Sequence, residues 1–183
     1  MKITRTKIKD LLIIEPIIYR DERGYFIESF NKKKYDELNI NTNFVQDNES
    51  KSTKGVLRGL HFQKPPYDQS KLVRCVQGEV LDVAVDIRTN SKTYGQHFSI
   101  ILSDVNNKQF YIPKGFAHGF VVLSDHAIFS YKVDNVYSPN HDCGILWNDL
   151  DLNIDWKLNN INPIISKKDS SLGTFKQLKK YFK

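Results

Sequence analysis

Between residues 80 and 88 the chain alternates, with Leu81, Val83, Val85 and Ile87 on one side of an extended backbone and Asp82, Asp86 and Arg88 on the other. A period of two predicts a β-strand. The same period recurs in Phe98-Ile100-Leu102, Phe110-Ile112, Phe116-His118-Phe120-Val122 and Ala127-Phe129-Tyr131-Val133. Turn-forming groups punctuate these runs at Gln77-Gly78, Asn106-Asn107, Pro113-Lys114-Gly115 and Ser138-Pro139-Asn140, where Gly, Pro and Asn supply the backbone angles that turns need. Helical spacing is confined to two places. Asn31 is placed to cap residues 32–38, and Thr174 to cap a tail in which Phe175, Leu178 and Phe182 recur at helical intervals. No repeat or linker interrupts the 183 residues, a length suited to one core. The expectation is one mainly β domain over residues 1–183, an antiparallel sandwich or barrel with short flanking helices.

Composition narrows the class without naming a function. A chain that is 40% hydrophobic and 26% charged is neither disordered nor fibrous. The net charge of +6 is compatible with nucleic acid, an anionic membrane or a phosphorylated small molecule. The basic runs at 32–34 and 179–180 are too short for a nucleic-acid tail, so most of the excess reads as solvated surface. The first apolar stretch, 11–14, is stopped by Pro16, far short of a signal segment or membrane span. Two cysteines, Cys75 and Cys143, read as free, buried thiols in a reducing compartment. A soluble cytoplasmic protein with no nucleic-acid or membrane partner is expected.

Three stretches put polar groups inside otherwise apolar strands: residues 58–63 with Gln46, Asn48 and Lys71 nearby, residues 113–120, and Tyr131-Lys132. Taken singly, a histidine between Ala117 and Gly119 is ordinarily a satisfied core residue, and one inward tyrosine is ordinarily packing. Arg58, His61 and Lys71 together are different. Up to three cations within about a dozen residues, beside Gln46 and Asn48, suit a diphosphate, whose oxygens accept charge-assisted hydrogen bonds. Arg58 and His61 have opposite parity, so an ideal strand would send them to opposite faces; Gly59 between them offers a bulge.

Other chemistries lack their motifs. There is no phosphate-binding P-loop, no dinucleotide-binding glycine pattern and no nucleophile elbow. A metal site would want His-x-His, but the chain reads His61-Phe62-Gln63, and glutamine is a poor transition-metal ligand. His97, His126 and His141 lack ligand spacing. No metal is expected.

Several segments carry a family resemblance: Asp21-Glu-Arg-Gly24 with Glu28, Gln46-Asp-Asn48, Arg58-Gly-Leu-His-Phe-Gln63, Lys71-Leu-Val-Arg-Cys75, residues 78–88, Ile112-Pro-Lys-Gly-Phe-Ala-His-Gly-Phe120, Ile145-Leu-Trp-Asn-Asp149 and Ile165-Ser-Lys-Lys-Asp169. In that order, from about residue 15 to 169, they resemble the dTDP-4-dehydrorhamnose 3,5-epimerases. The resemblance implies a cupin-like jelly-roll homodimer acting on a dTDP-4-keto-6-deoxyhexose in rhamnose and cell-surface polysaccharide biosynthesis, without metal or organic cofactor. It implies that His61 is the general base, that Asp169 hydrogen-bonds it, that Tyr131 is the acid on the opposite face, and that Lys71 lies near the keto oxygen. It places Arg23, Glu28, Gln46, Asn48, Arg58, His118, Asp142 and Lys168 on the substrate. Asp142 departs from the glutamate usual in the family and is one methylene shorter. The alternatives are an epimerase of one centre only, a jelly roll that binds nucleotide sugars without turnover, and, last, a metal-dependent cupin oxygenase.

Overall fold

The computed structural model describes residues 1–183 and is built from thirteen strands and two short helices: β1 (Lys2–Arg5), β2 (Leu12–Glu15), β3 (Ile18–Asp21), β4 (Gly24–Ile27), α1 (Lys32–Glu37), β5 (Gln46–Thr53), β6 (Leu57–Gln63), β7 (Lys71–Gln77), β8 (Glu79–Asp86), β9 (His97–Ser103), β10 (Gln109–Ile112), β11 (Phe116–Val122), β12 (His126–Val133), β13 (Asp142–Gly144) and α2 (Lys167–Ser170). Two antiparallel sheets, ordered β1-β2-β10-β7-β12-β5 and β13-β6-β11-β8-β9, make a jelly roll, and β3 with β4 forms a separate hairpin.

The sheets close on a shared core. Val73, Cys75, Phe110, Ile112, Ala127 and Phe129 come from one sheet, and Val80, Ala84, Phe116, Phe120 and Val122 from the other. Phe120 and Phe129 stack across the gap with ring centroids 4.1 Å apart. Burying these side chains is the main favourable contribution, about 1.5–3 kcal/mol for each large one.

The alternation in β8 has another meaning than its pattern predicts. Both faces are buried: Leu81, Val83, Val85 and Ile87 pack against Leu152, Trp156 and the C-terminal segment, while Val80 and Ala84 point into the barrel. Asp82 and Asp86 are fully enclosed. The face that reads as polar is therefore the interior of the jelly roll. The cysteines also differ in part from expectation. Cys75 is buried, and Cys143 is only half-buried at the sheet edge; both are free thiols.

Asn31 caps α1 as expected, its side chain accepting from the Lys34 N–H. The tail does not form the expected helix. After Thr174, whose N–H donates to the Gln177 side chain, one 3-10 turn spans Phe175–Gln177. The chain then runs extended, and Phe182 bridges to Arg88. Its apolar side chains pack on the outer face of the five-stranded sheet, and that burial outweighs helical spacing in so short a segment.

Candidate active site

Rows of side chains across the six-stranded sheet build one wall. Gln46 pairs with Val133, and Val133 with Lys71; one row further, Asn48 pairs with Tyr131, and Tyr131 with Val73. Partners directly opposite in an antiparallel ladder share a face. Because Val73 and Val133 are buried, the polar members of these rows are inward too.

The facing wall comes from the five-stranded sheet. His61 is opposite His118 and Gly144, and Arg58 is opposite Phe120. Three steps on β6 thus answer two on β11, which is the bulge expected at Gly59. Gly59 sits at φ +112, and a Cβ there would lie 2.6 Å from both Gly119 Cα and His118 O. Only glycine fits so close an approach. The bulge turns Arg58 and His61 to the same side.

The walls enclose a cavity of about 730 Å³ lined by Gln46, Asn48, Arg58, His61, Lys71, His118, Tyr131, Asp142, Lys168 and Asp169, with Tyr137 at its edge. A smaller hollow of about 380 Å³, lined by Asp47, Arg74 and Lys132 among others, contains neither His61 nor Asp169. The structure thus brings together ten of the residues singled out from sequence. It does not bring Arg23 or Glu28. Arg23 stands at the exposed β3–β4 turn paired with Asp21, and Glu28 pairs with Lys34 at 2.8 Å.

His61 Nε2 lies 2.9 Å from Asp169 Oδ1, so Nδ1 is the ring nitrogen left for a substrate. Ser166 caps α2 by accepting from the Asp169 N–H, and the Gly59 N–H donates to Asp169 Oδ2 at 3.1 Å. Burial acts to raise the Asp169 pKa. Contact with His61 and the two further hydrogen bonds outweigh it and hold the carboxyl below its ordinary value. Tyr131 is on the opposite sheet. Burial raises its pKa, partly opposed by Arg58, so the phenol keeps its proton at neutral pH.

Lys71 is buried, which pulls its ammonium down to about 8 against the opposing pull of Asp82 and then Asp142. His118 Nε2 lies 2.8 Å from Asp82 Oδ2. Burial lowers the His118 pKa although Asp82 favours its charge. The Arg58 guanidinium donates to Ser52 Oγ at 3.1–3.2 Å. The Gln46 amide donates to Asn48. At the mouth, Asp142 accepts from Tyr137 OH at 2.9 Å and pairs with Lys168. The shorter carboxylate is thus tied to protein groups.

Gln63, which stands where a metal site would need an imidazole, spends its amide on the Tyr67 and Val136 carbonyls. No three His, Cys, Asp or Glu side chains converge. Sequence reasoning passed over Asp82, although its neighbours two residues away, Val80 and Ala84, are apolar and mark that face as interior.

The arrangement offers an oriented base, a protonated donor across from it, and cations beside both. Residues 5–177 match the family model described as dTDP-4-dehydrorhamnose 3,5-epimerase. The dTDP-4-dehydrorhamnose 3,5-epimerase of Shigella flexneri is 56% identical over 170 residues, covering 92% of this chain and 93% of that one. The crystal structure of the enzyme of that name from Elizabethkingia anophelis superposes with a TM-score of 0.93 at 53% identity, covering 99% of both chains. That of dTDP-6-deoxy-D-glucose-3,5-epimerase from Legionella pneumophila, in complex with dTDP-4-keto-L-rhamnose, gives 0.94 at 51% identity, covering 97% of this chain and 94% of that one.

Proposed function

The chain belongs to the dTDP-4-dehydrorhamnose 3,5-epimerase family, and from that membership we propose how its cavity divides the work of inverting two carbons. The reaction converts dTDP-4-dehydro-6-deoxy-D-glucose to dTDP-4-dehydro-L-rhamnose. The C4 ketone acidifies the hydrogens on C3 and C5, because loss of either gives an enolate. His61 removes each proton through Nδ1. Asp169, on Nε2, fixes the tautomer and stabilises the imidazolium that forms. Lys71 stabilises the charge developing on O4, which counts for most in a site with little water. Tyr131 returns a proton from the opposite side, and that change of face is the inversion. The chemistry uses no metal, nicotinamide or flavin.

One observation carries this reading: His61, with Asp169 of α2 on its ring, and Tyr131 stand on facing sheets across a single cavity. Arg58, Gln46, Asn48, His118 and Lys168 hold the nucleotide and sugar around that axis. Asp142 acts through its contacts with Tyr137 and Lys168. Arg23 and Glu28 serve the cavity of a second copy in a homodimer. Their absence from the lining of their own cavity supports this, as does the β3–β4 hairpin at which they stand, which exposes Tyr19, Tyr25 and Phe26. Apolar groups clustered on a surface mark contact sites. The enzyme works in the cytoplasm and supplies deoxysugar for cell-surface polysaccharide. The two free thiols accord with a reducing compartment, and no helix is long and apolar enough to cross a membrane.

Proton NMR of the turnover mixture in deuterium oxide tests the assignment. Deuterium is expected at both C3 and C5 of the product; incorporation at one carbon, or at neither, overturns it.

A further inference from the structure

Ser52 is buried on the inner face of β5, directly opposite Ala127 of the core. Packing there calls for an apolar residue, and a hydroxyl enclosed among such groups is costly unless it is used. Its use is Arg58. Ser52 Oγ accepts from Nε of that guanidinium at 3.2 Å and from Nη2 at 3.1 Å, and makes no other hydrogen bond. β5 and β6 belong to different sheets, so the contact spans the corner where the two walls of the cavity meet.

We propose that Ser52 is a positioning residue for the diphosphate, holding the Arg58 guanidinium toward the cavity before a ligand arrives. This rests on the assignment of Arg58 to the nucleotide's phosphates. Arg58 is exposed at the cavity lining, and a long side chain so placed samples many rotamers, whose loss opposes binding. Fixing one edge of the fork removes that loss in advance and leaves the Nη1 edge to a phosphate oxygen. The chemistry of the acceptor matters as much as its place. Arg23 and Arg88 are held by carboxylates, those of Asp21 and Asp86, which offset their charge. No carboxylate pairs with Arg58. A neutral hydroxyl orients the cation and leaves its charge for an anion.

Calorimetry with dTDP in a double-variant cycle separates this role from packing. Ser52→Ala is expected to weaken dTDP binding about fivefold, the scale of one lost hydrogen bond. In an Arg58→Ala background the same change should alter affinity by less than about twofold, because Ser52 acts through the arginine. Arginine-selective 15N labelling reads the contact without a ligand. The Arg58 Nε–H signal, identified by its loss in Arg58→Ala, should exchange with solvent faster in Ser52→Ala than in the wild type. Equal exchange in the two, or an equal loss of affinity in both backgrounds, overturns the proposal. Faster exchange in a protein whose dTDP affinity Arg58→Ala leaves unchanged supports the contact and overturns the assignment of Arg58 to the phosphates instead. If Ser52→Ala does not fold, Ser52→Cys, close in size and with a sulfur that accepts only weakly, takes its place in the cycle.

Discussion

Asp169 Oδ1 lies 2.9 Å from His61 Nε2 although 108 residues of chain separate them. The pair is therefore assembled from a strand of the barrel and a capped turn of helix packed outside it. Each half is held by backbone: β6 by its pairing with β11, Asp169 by the Gly59 N–H.

His61→Asn is expected to abolish solvent exchange at both C3 and C5 while dTDP still binds within about twofold. Exchange measured by NMR and affinity by calorimetry read the two separately. Near wild-type exchange in the variant would remove His61 as the base.

Asp169→Asn is expected to lower turnover by about a hundredfold, because an amide cannot stabilise the imidazolium. It also carries a pH signature. The folded pKa of Asp169 lies below the ordinary 3.8, so its charged form adds stability that is present above that value and lost as the pH falls through the lower folded value. The gap in melting temperature between wild type and Asp169→Asn should be open at neutral pH and should close in strong acid. A gap that is constant with pH contradicts the pairing.

Tyr131→Phe removes the proton donor and keeps the ring. Product formation should fall about a hundredfold or more, with dTDP affinity little changed. Exchange at C3 is expected to persist, since His61 can return a proton on its own face. A variant that turns over normally and is only less stable would make Tyr131 a packing residue.

Arg58→Ala and Arg23→Ala should each weaken dTDP binding about tenfold or more, the loss of one charge-assisted hydrogen bond. The two differ in mixing. If Arg23 acts across a twofold dimer, a heterodimer of the two variants has one cavity with both arginines and one with neither. Equal mixing with subunit exchange should then restore about a quarter of the tight sites. No recovery on mixing places Arg23 outside the partner's cavity.

Dialysis against a strong chelator should leave kcat unchanged, and elemental analysis should find well under one metal per chain. The motive is Gln63, which is occupied with two carbonyls at the position where a ligand imidazole would be needed. Stoichiometric metal whose removal stops turnover is the contrary result.

The strands from β8 to β12 were legible because their side chains alternate at the period of the pleat. The short strands β1 to β4 were not, since they run four residues each and are largely exposed on β3 and β4. Arg58 and His61 could be placed on one face only by supposing the bulge at Gly59, which alternation alone argues against. Asp82 was hidden for the opposite reason. Its alternation with leucine and valine looked like the solvent side of a strand, and nothing in a period of two tells a wet face from a second buried one. Asp169 was reached through family resemblance, because no local pattern links a Ser-Lys-Lys-Asp segment to a histidine in β6. Arg23 and Glu28 were also reached only through family resemblance, and intrachain geometry leaves both outside the cavity.

The core shared by the two sheets holds no fully buried residue later than Phe129, yet His61 is oriented by Asp169. During synthesis, which delivers the N-terminal part first, every buried residue of that core is made before the carboxylate. Such a nascent chain already has Arg58 and Lys71 and lacks an oriented His61. The His61–Asp169 pair is thus completed only once residue 169 has been made, later than every buried residue of that core.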